Sequence, residues 1–119
     1  MITPVVSGAD RAGVPRTIEI LERSGGRLEV NGALTFATAR KARQRGLHLL
    51  SVSGVRDLEV DCTGITASDS AGLTVLLDWL AYARRAGRSL QLRNLPEAIL
   101  AVARISDVAD MLASGVSRA

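Results

Sequence analysis

The residues best placed to do chemistry lie between Asp61 and Leu73, in the run Asp-Cys-Thr-Gly-Ile-Thr-Ala-Ser-Asp-Ser-Ala-Gly-Leu. It holds two aspartates, Asp61 and Asp69, and a serine, Ser70, beside the second of them. With His48, the only histidine, Asp61 and Ser70 could on paper form a hydrolytic triad. A nucleophile elbow, however, requires glycine two residues before and after the serine, and here Ser68 and Gly72 stand in those places. His48 is read as structural or exposed. Asp61 at a strand end is reminiscent of a phospho-accepting aspartate, but such a site holds Mg²⁺ through further acidic groups. The acids upstream, Glu19, Glu22 and Glu29, alternate along a hairpin as solvent-facing residues do. No glycine-rich phosphate loop with its lysine and no dinucleotide fingerprint occurs, and one histidine with one cysteine makes no ordinary zinc site. The expectation is no catalytic residue, no metal, no cofactor and no enzyme.

The elements around this run set its geometry. Leu58, Val60 and Cys62 alternate with Glu59 and Asp61, the period of a pleated strand. After Gly64 the period changes, and Leu73, Leu76, Leu77, Leu80 and Ala83 fall on one face of a helix from Ser70 to about Ala86, stopped by Gly87. Asp69 and Ser70 therefore meet the unpaired N–H groups at the positive end of a helix, where an anion is welcome and a capping side chain contributes about 1 kcal/mol. Helical geometry with that leucine face inward puts Ala71, Val75, Asp78 and Tyr82 on the opposite side, with Trp79 at its margin. Surplus aromatic residues favour interfaces, so this side is expected to be a docking ridge continuous with Ser70.

Upstream, Ile18, Ile20 and Leu28, Val30 flank the turn Ser24-Gly25-Gly26 as an antiparallel hairpin. Thr35 is expected to cap a helix running to about Arg45, with Phe36, Ala39 and Leu47 inward and Gly46 weakening or ending it. Downstream, Leu90 and Leu92 mark a strand, Asn94-Leu95-Pro96 leads into a helix carrying Ile99, Leu100 and Ala103, and Val108, Met111 and Leu112 suggest a last short helix. The order is that of an α/β domain with mostly parallel pairing through right-handed crossovers. Residues 1–16 read as a flexible leader, 17–113 as the domain and 114–119 as a C-terminal tail.

The chain has 119 residues, enough for one core without disulfide support, and its single cysteine rules out a disulfide framework. No window reaches the roughly 18 apolar residues of a membrane span and no signal-peptide pattern opens the sequence, so a cytoplasmic location is expected. The formal charge is +3, and Arg40, Lys41, Arg43 and Arg45 cluster on one amphipathic helix. With one Phe, one Tyr and one Trp there is no aromatic platform for bases, and nucleic acid is not expected as a partner.

The acidic strand end, the Thr-Gly turn, the Asp69-Ser70 pair and the leucine-rich helix together resemble the STAS domain, a family of sulphate-transporter tails, anti-sigma-factor antagonists and accessory subunits of ABC lipid transporters. The resemblance spans about Thr17 to Leu112 and implies the STAS fold, a mixed sheet of four to five strands with helices packed against it. In the antagonists, the serine matching Ser70 is phosphorylated by the partner kinase, which makes Ser70 a regulatory, phospho-acceptor candidate. These proteins often carry Ser or Thr next, whereas this chain has Ala71. The run Leu76-Leu77-Asp78-Trp79 and the stretch from Asn94 to Leu112 look closest to the accessory subunits of Mla-type phospholipid transporters. The resemblance thus implies a noncatalytic, MlaB-like subunit supporting the ATPase of an ABC transporter that maintains outer-membrane lipid asymmetry, peripheral at the inner membrane only through its complex. Its partner-binding residues would be Asp69, Ser70, Ala71, Thr74, Val75, Asp78, Trp79 and Tyr82. The alternative it implies is an anti-sigma-factor antagonist bound to its kinase.

Overall fold

The computed structural model describes residues 17–105 and the short strand at 116–117. The expected leader, the last short helix at Val108, Met111 and Leu112, and most of the tail lie outside the described residues. The first elements are the strands β1, Ile18–Arg23, and β2, Arg27–Leu34, antiparallel with Ile20 opposite Val30. Gly25 and Gly26, both at φ 79°, make the turn between them, a backbone region that glycine enters without a steric penalty.

Helix α1, Ala39–Val52, crosses to β3, Asp57–Asp61, which runs parallel to the first half of β2 with Leu28 opposite Val60. A tight turn at Gly64 then sends the chain into β4, Ile65–Ser68, which pairs parallel with the second half of β2. β2 therefore holds β1 along one edge and shares its other edge between β3 and β4, with a register shift between Gly32 and Ala33. Helix α2, Ser70–Arg85, leads to β5, Ser89–Arg93, parallel to β3; helix α3, Glu97–Ile105, follows, and β6, Val116–Ser117, pairs parallel with β5. The sheet order is β1-β2-β3-β5-β6, with β4 attached to β2. This is the mixed α/β architecture expected, with two strands that the sequence reading lacked, β4 and the short β6 in the stretch read as a tail.

Alternation puts Ile18, Ile20, Leu28, Val30, Leu58, Val60, Leu90 and Leu92 into the core beneath the helices. The other sheet face is polar and crossed by ion pairs, Glu59 reaching Arg27 on β2 (3.2 Å) and Arg93 on β5 (3.3 Å). Arg88 ties the end of α1 to the start of β5, its guanidinium donating to the carbonyls of Leu50, Ser53 and Val55 and so satisfying the orphan acceptors of a helix end.

The start and course of α1 differ from expectation. The helix begins at Ala39, not after Thr35, because residues 35–38 form a turn knotted by Thr38. The buried Thr38 hydroxyl donates to Ala33 O (2.6 Å) and accepts from Thr35 N–H (3.1 Å), so it serves the turn and caps nothing. Phe36, expected inward, stands 85% exposed on this turn. Gly46 does not end α1. It lies buried in mid-helix, where a Cβ would run into the indole of Trp79, so the glycine is what lets α1 and α2 approach.

Candidate functional site

The site is the junction where β2 leaves the sheet and α2 begins. Asp69 is the N-cap of α2: its Oδ1 accepts from Ala71 N–H (2.9 Å) and Gly72 N–H (3.2 Å). Its Oδ2 accepts from Phe36 N–H (3.0 Å), 33 residues away, so one carboxylate holds both the first turn of α2 and the turn before α1. Gly72 makes that junction close, since a Cβ there would collide with the carbonyl of Leu34 at the end of β2.

Ser70 is the first helical residue and is exposed, and its hydroxyl makes no hydrogen bond among the described residues. The expectation that Ser70 shares the capping is therefore corrected: Asp69 does it alone. This leaves Ser70 exposed at a helix start fixed by Asp69. Thr74, one turn on, is also exposed and donates from its hydroxyl to Ser70 O (3.1 Å).

The docking ridge expected on α2 is misplaced by about a quarter turn. Val75 is 2% exposed and Trp79 fully buried, so neither is on the surface of the chain. Ala71, Asp78 and Tyr82 are half-buried, and Tyr82 packs against the core. The reason is α1, which covers this side: Gly46 receives the Trp79 ring, the Trp79 indole N–H points at Arg43 O (3.4 Å), and Asp78 pairs with Arg43 (2.8 Å). Of the five leucine-face residues, Leu73, Leu76 and Ala83 are buried, while Leu77 and Leu80 are only partly so. The stripe of α2 that faces outward carries the exposed Ser70 and Thr74 and continues through Leu77 and Ala81, which are half-buried, Leu77 packing against the core. Of the sequence-derived partner-binding set, the structure thus brings Asp69, Ser70, Thr74 and Asp78 to the surface around the junction. Phe36, Leu77 and Ala81 were missed; only knowledge of which side α1 covers would have found them.

The residues of the paper triad are not joined. His48 is exposed on α1, Ser70 makes no side-chain bond, and Asp61 is engaged locally at the end of β3. Its Oδ1 accepts from the Thr63 hydroxyl (2.6 Å), Thr63 N–H (3.0 Å) and Asn94 Nδ2 (3.2 Å). The Thr63 hydrogen bonds hold its carboxyl below the usual carboxylate range, as expected of an anion that several donors solvate. Asn94 takes a left-handed backbone, φ 60°, to make its bond, so Asp61 ties the ends of β3 and β5 together. Burial pushes the Cys62 thiol up to about 12, which leaves it a protonated, inert part of the core. No cluster of His, Cys, Asp and Glu suited to a metal occurs among the described residues, and no helix among them is long and apolar enough to cross a membrane.

Residues 20–113 match the family model described as Mlab, STAS domain. Comparison with curated proteins gives no match. Among solved structures the chain is similar to the anti-sigma factor antagonist SpoIIAA in its unphosphorylated form, with a TM-score of 0.58 at 12% identity over 75% of this chain and 83% of that one. It is also similar to a sulfate transporter family protein from Wolinella succinogenes, with a TM-score of 0.59 at 17% identity over 76% of this chain and 73% of that one. At such identities the likeness to the two structures is one of fold. The family match runs from within β1 through α3, including the Asp69-Ser70 junction, and on that ground the chain belongs to the STAS domain family.

Proposed function

We propose that this protein is a noncatalytic accessory subunit that binds the ATPase of an ABC-type phospholipid transporter and supports it in maintaining outer-membrane lipid asymmetry. It would sit in the cytoplasm, held at the inner membrane through that complex. The observation that carries this reading is the match to the Mlab-type STAS model across residues 20–113, which takes in the whole junction. The geometry agrees with a binding role: Ser70 and Thr74 stand exposed on a helix start fixed by Asp69 and Gly72, so a partner meets a surface that needs no ordering on contact. Contact there would favour whichever assembly or conformation of the ATPase binds it better. The test is affinity purification from native membranes under mild detergent. The expected result is recovery of an ABC ATPase and its permease, with a detergent-sensitive outer membrane in the deletion strain.

A second reading, the anti-sigma-factor antagonist, is favoured by the exposed Ser70 hydroxyl, which a kinase can reach without opening the fold. Transfer of the γ-phosphoryl group of ATP to Ser70 Oγ, with loss of the hydroxyl proton and release of ADP, would put about −1.5 to −2 charges beside Asp69 and weaken the complex. A complex with a soluble kinase and stoichiometric phosphate on Ser70, with no transporter component, would replace the first reading by this one.

A further inference from the structure

Phe36 is the only phenylalanine of the chain, and the fold holds it out in solvent at 85% exposure. The turn beneath it is not slack. Its own N–H is bound by Asp69, the Thr38 hydroxyl fastens the turn to Ala33 and Thr35, and Asp69 belongs to the same junction that presents Ser70. A large ring immobilised at its base and unburied at its tip loses little entropy when a partner covers it, which is the profile of an interface anchor.

The helix that follows carries charge of one sign. Helix α1 carries Arg40, Lys41, Arg43 and Arg45 and no acidic residue, and two of these cations, Arg40 and Lys41, occupy the first turn, at the positive end of the helix dipole. Arg43 is answered by Asp78 of α2. Arg40, Lys41 and Arg45 are exposed and make no ion pair among the described residues. Arg40 lies three residues before Arg43 and so on the same side of α1, one turn closer to Phe36. Most acids of the described residues lie on the strands, as Glu19, Glu22, Glu29, Asp57, Glu59 and Asp61; of the others, Asp69 is taken up in capping α2 and Asp78 in pairing with Arg43.

Resting on the reading of the junction as a partner-binding site, we infer that Phe36 and Arg40 extend it into an anchor for an acidic protein surface, the ring entering an apolar pocket rimmed by carboxylates. Charge complementarity selects this occupant. A second copy docking through this same face would set basic against basic, the strand acids Glu29 and Glu59 are already paired with Arg23, Arg27 and Arg93, and residues 1–16 carry Asp10 against Arg11 and Arg16, so neither is the better source of negative charge. A membrane would require a continuous apolar face, whereas Phe36 is a single ring between Thr35 and Ala37, and the other exposed large apolar residues among those described, Val52, Val55 and Ile105, lie on other segments.

The test is titration of the purified ABC ATPase of the same organism with the wild-type protein and with Phe36→Ala, Phe36→Leu, Arg40→Glu and the control Val52→Ala. It is run at low and high salt beside phosphatidylglycerol-containing vesicles. Phe36→Ala is expected to weaken binding about 30-fold, Phe36→Leu to recover part of it, Arg40→Glu to weaken it about tenfold, and Val52→Ala to leave it unchanged. Wild-type affinity should fall with salt, and all variants should melt with the wild type. Equal binding by wild type and Phe36→Ala would overturn the inference while leaving the transporter reading intact. Loss of the same kind against an anti-sigma kinase, with no binding to the ATPase, would uphold the anchor and overturn only the transporter reading. Binding to neither protein would overturn both, and binding to vesicles that depends on Phe36 would overturn the choice of a protein occupant.

Discussion

Replacing Gly46 by alanine should destabilise the protein, against the direction that helix propensity alone gives. In an exposed helix interior, Gly to Ala stabilises by about 1 kcal/mol. Gly46 is in the interior of α1 but buried against Trp79, and a Cβ there would lie 2.6 Å from the indole nitrogen and nearer still to two ring carbons, Cε2 and Cζ2. Carbon atoms in contact want about 3.5–4.0 Å, so either the ring or α1 must move by more than about 1 Å. Trp79 is fully buried and has no solvent to move into. Overpacking of this kind costs about 1–3 kcal/mol, and an overlap this deep belongs at the upper end. Subtracting the propensity gain leaves a net loss of about 2 kcal/mol, or roughly 8 °C in Tm for a domain of this size. Trp79 is the only tryptophan, so its fluorescence reports on the contact directly during urea unfolding, with circular dichroism as the second probe. Combining Gly46→Ala with Trp79→Phe should give a favourable coupling, because the smaller ring makes room for the methyl group. A Gly46→Ala protein with a higher urea midpoint than wild type, or no coupling in the double variant, would refute the packing argument.

Other outcomes follow from the junction and its surroundings. Asp69→Ala should lose about 1–2 kcal/mol by urea unfolding, since a cap goes and Phe36 N–H loses its acceptor, whereas Asp69→Asn should keep most of it and Ser70→Ala should change stability by less than about 0.5 kcal/mol. Val75→Glu should collapse the thermal transition by burying an unpaired charge, while Thr74→Glu, one position earlier and exposed, should melt close to wild type and disturb only partner binding. Because hydrogen bonds hold the Asp61 carboxyl below its unfolded value, its stabilisation is complete above about pH 4 and is lost as pH falls through the lower folded value; Asp61→Asn should therefore flatten the acid limb of stability against pH in that window.

Much of the fold was legible in the sequence because its signals are local. Alternation in Ile18–Ile20, Leu28–Val30 and Leu58–Cys62 marks strands whatever they pair with, and Gly87 ends α2 because the chain there takes a left-handed backbone, φ 70°. β4 was not legible. Ile65–Ser68 has no clear apolar alternation, and it is a strand because the second half of β2 offers it an edge. At the site, Asp69 and Ser70 were found at the helix start, but not the division of labour between them, which depends on a donor 33 residues away. The outward stripe of α2 was misphased for a similar reason. Four leucines look like the core face, yet a glycine on another helix makes room for Trp79 and turns α2 so that Leu77 is half-exposed and Val75 buried. Phe36 was placed inside on hydrophobicity, and the turn that holds it outside is fixed by the Thr38 hydroxyl.

The sharing of one edge of β2 between β3 and β4 ties the site to the core in a way that bears on genetics. The start of α2 follows β4, and β4 has a place only where the far half of β2, from Gly32 to Leu34, offers it an edge with the register shift between Gly32 and Ala33 intact. A substitution in Val30, Ala33 or Leu34 will therefore displace Ser70 and Phe36 together without touching either. In a screen for lost partner binding, such alleles will outnumber and resemble true contact mutants. They will separate from them by protein abundance, which falls for the core alleles and holds for changes at Phe36, Arg40 or Thr74.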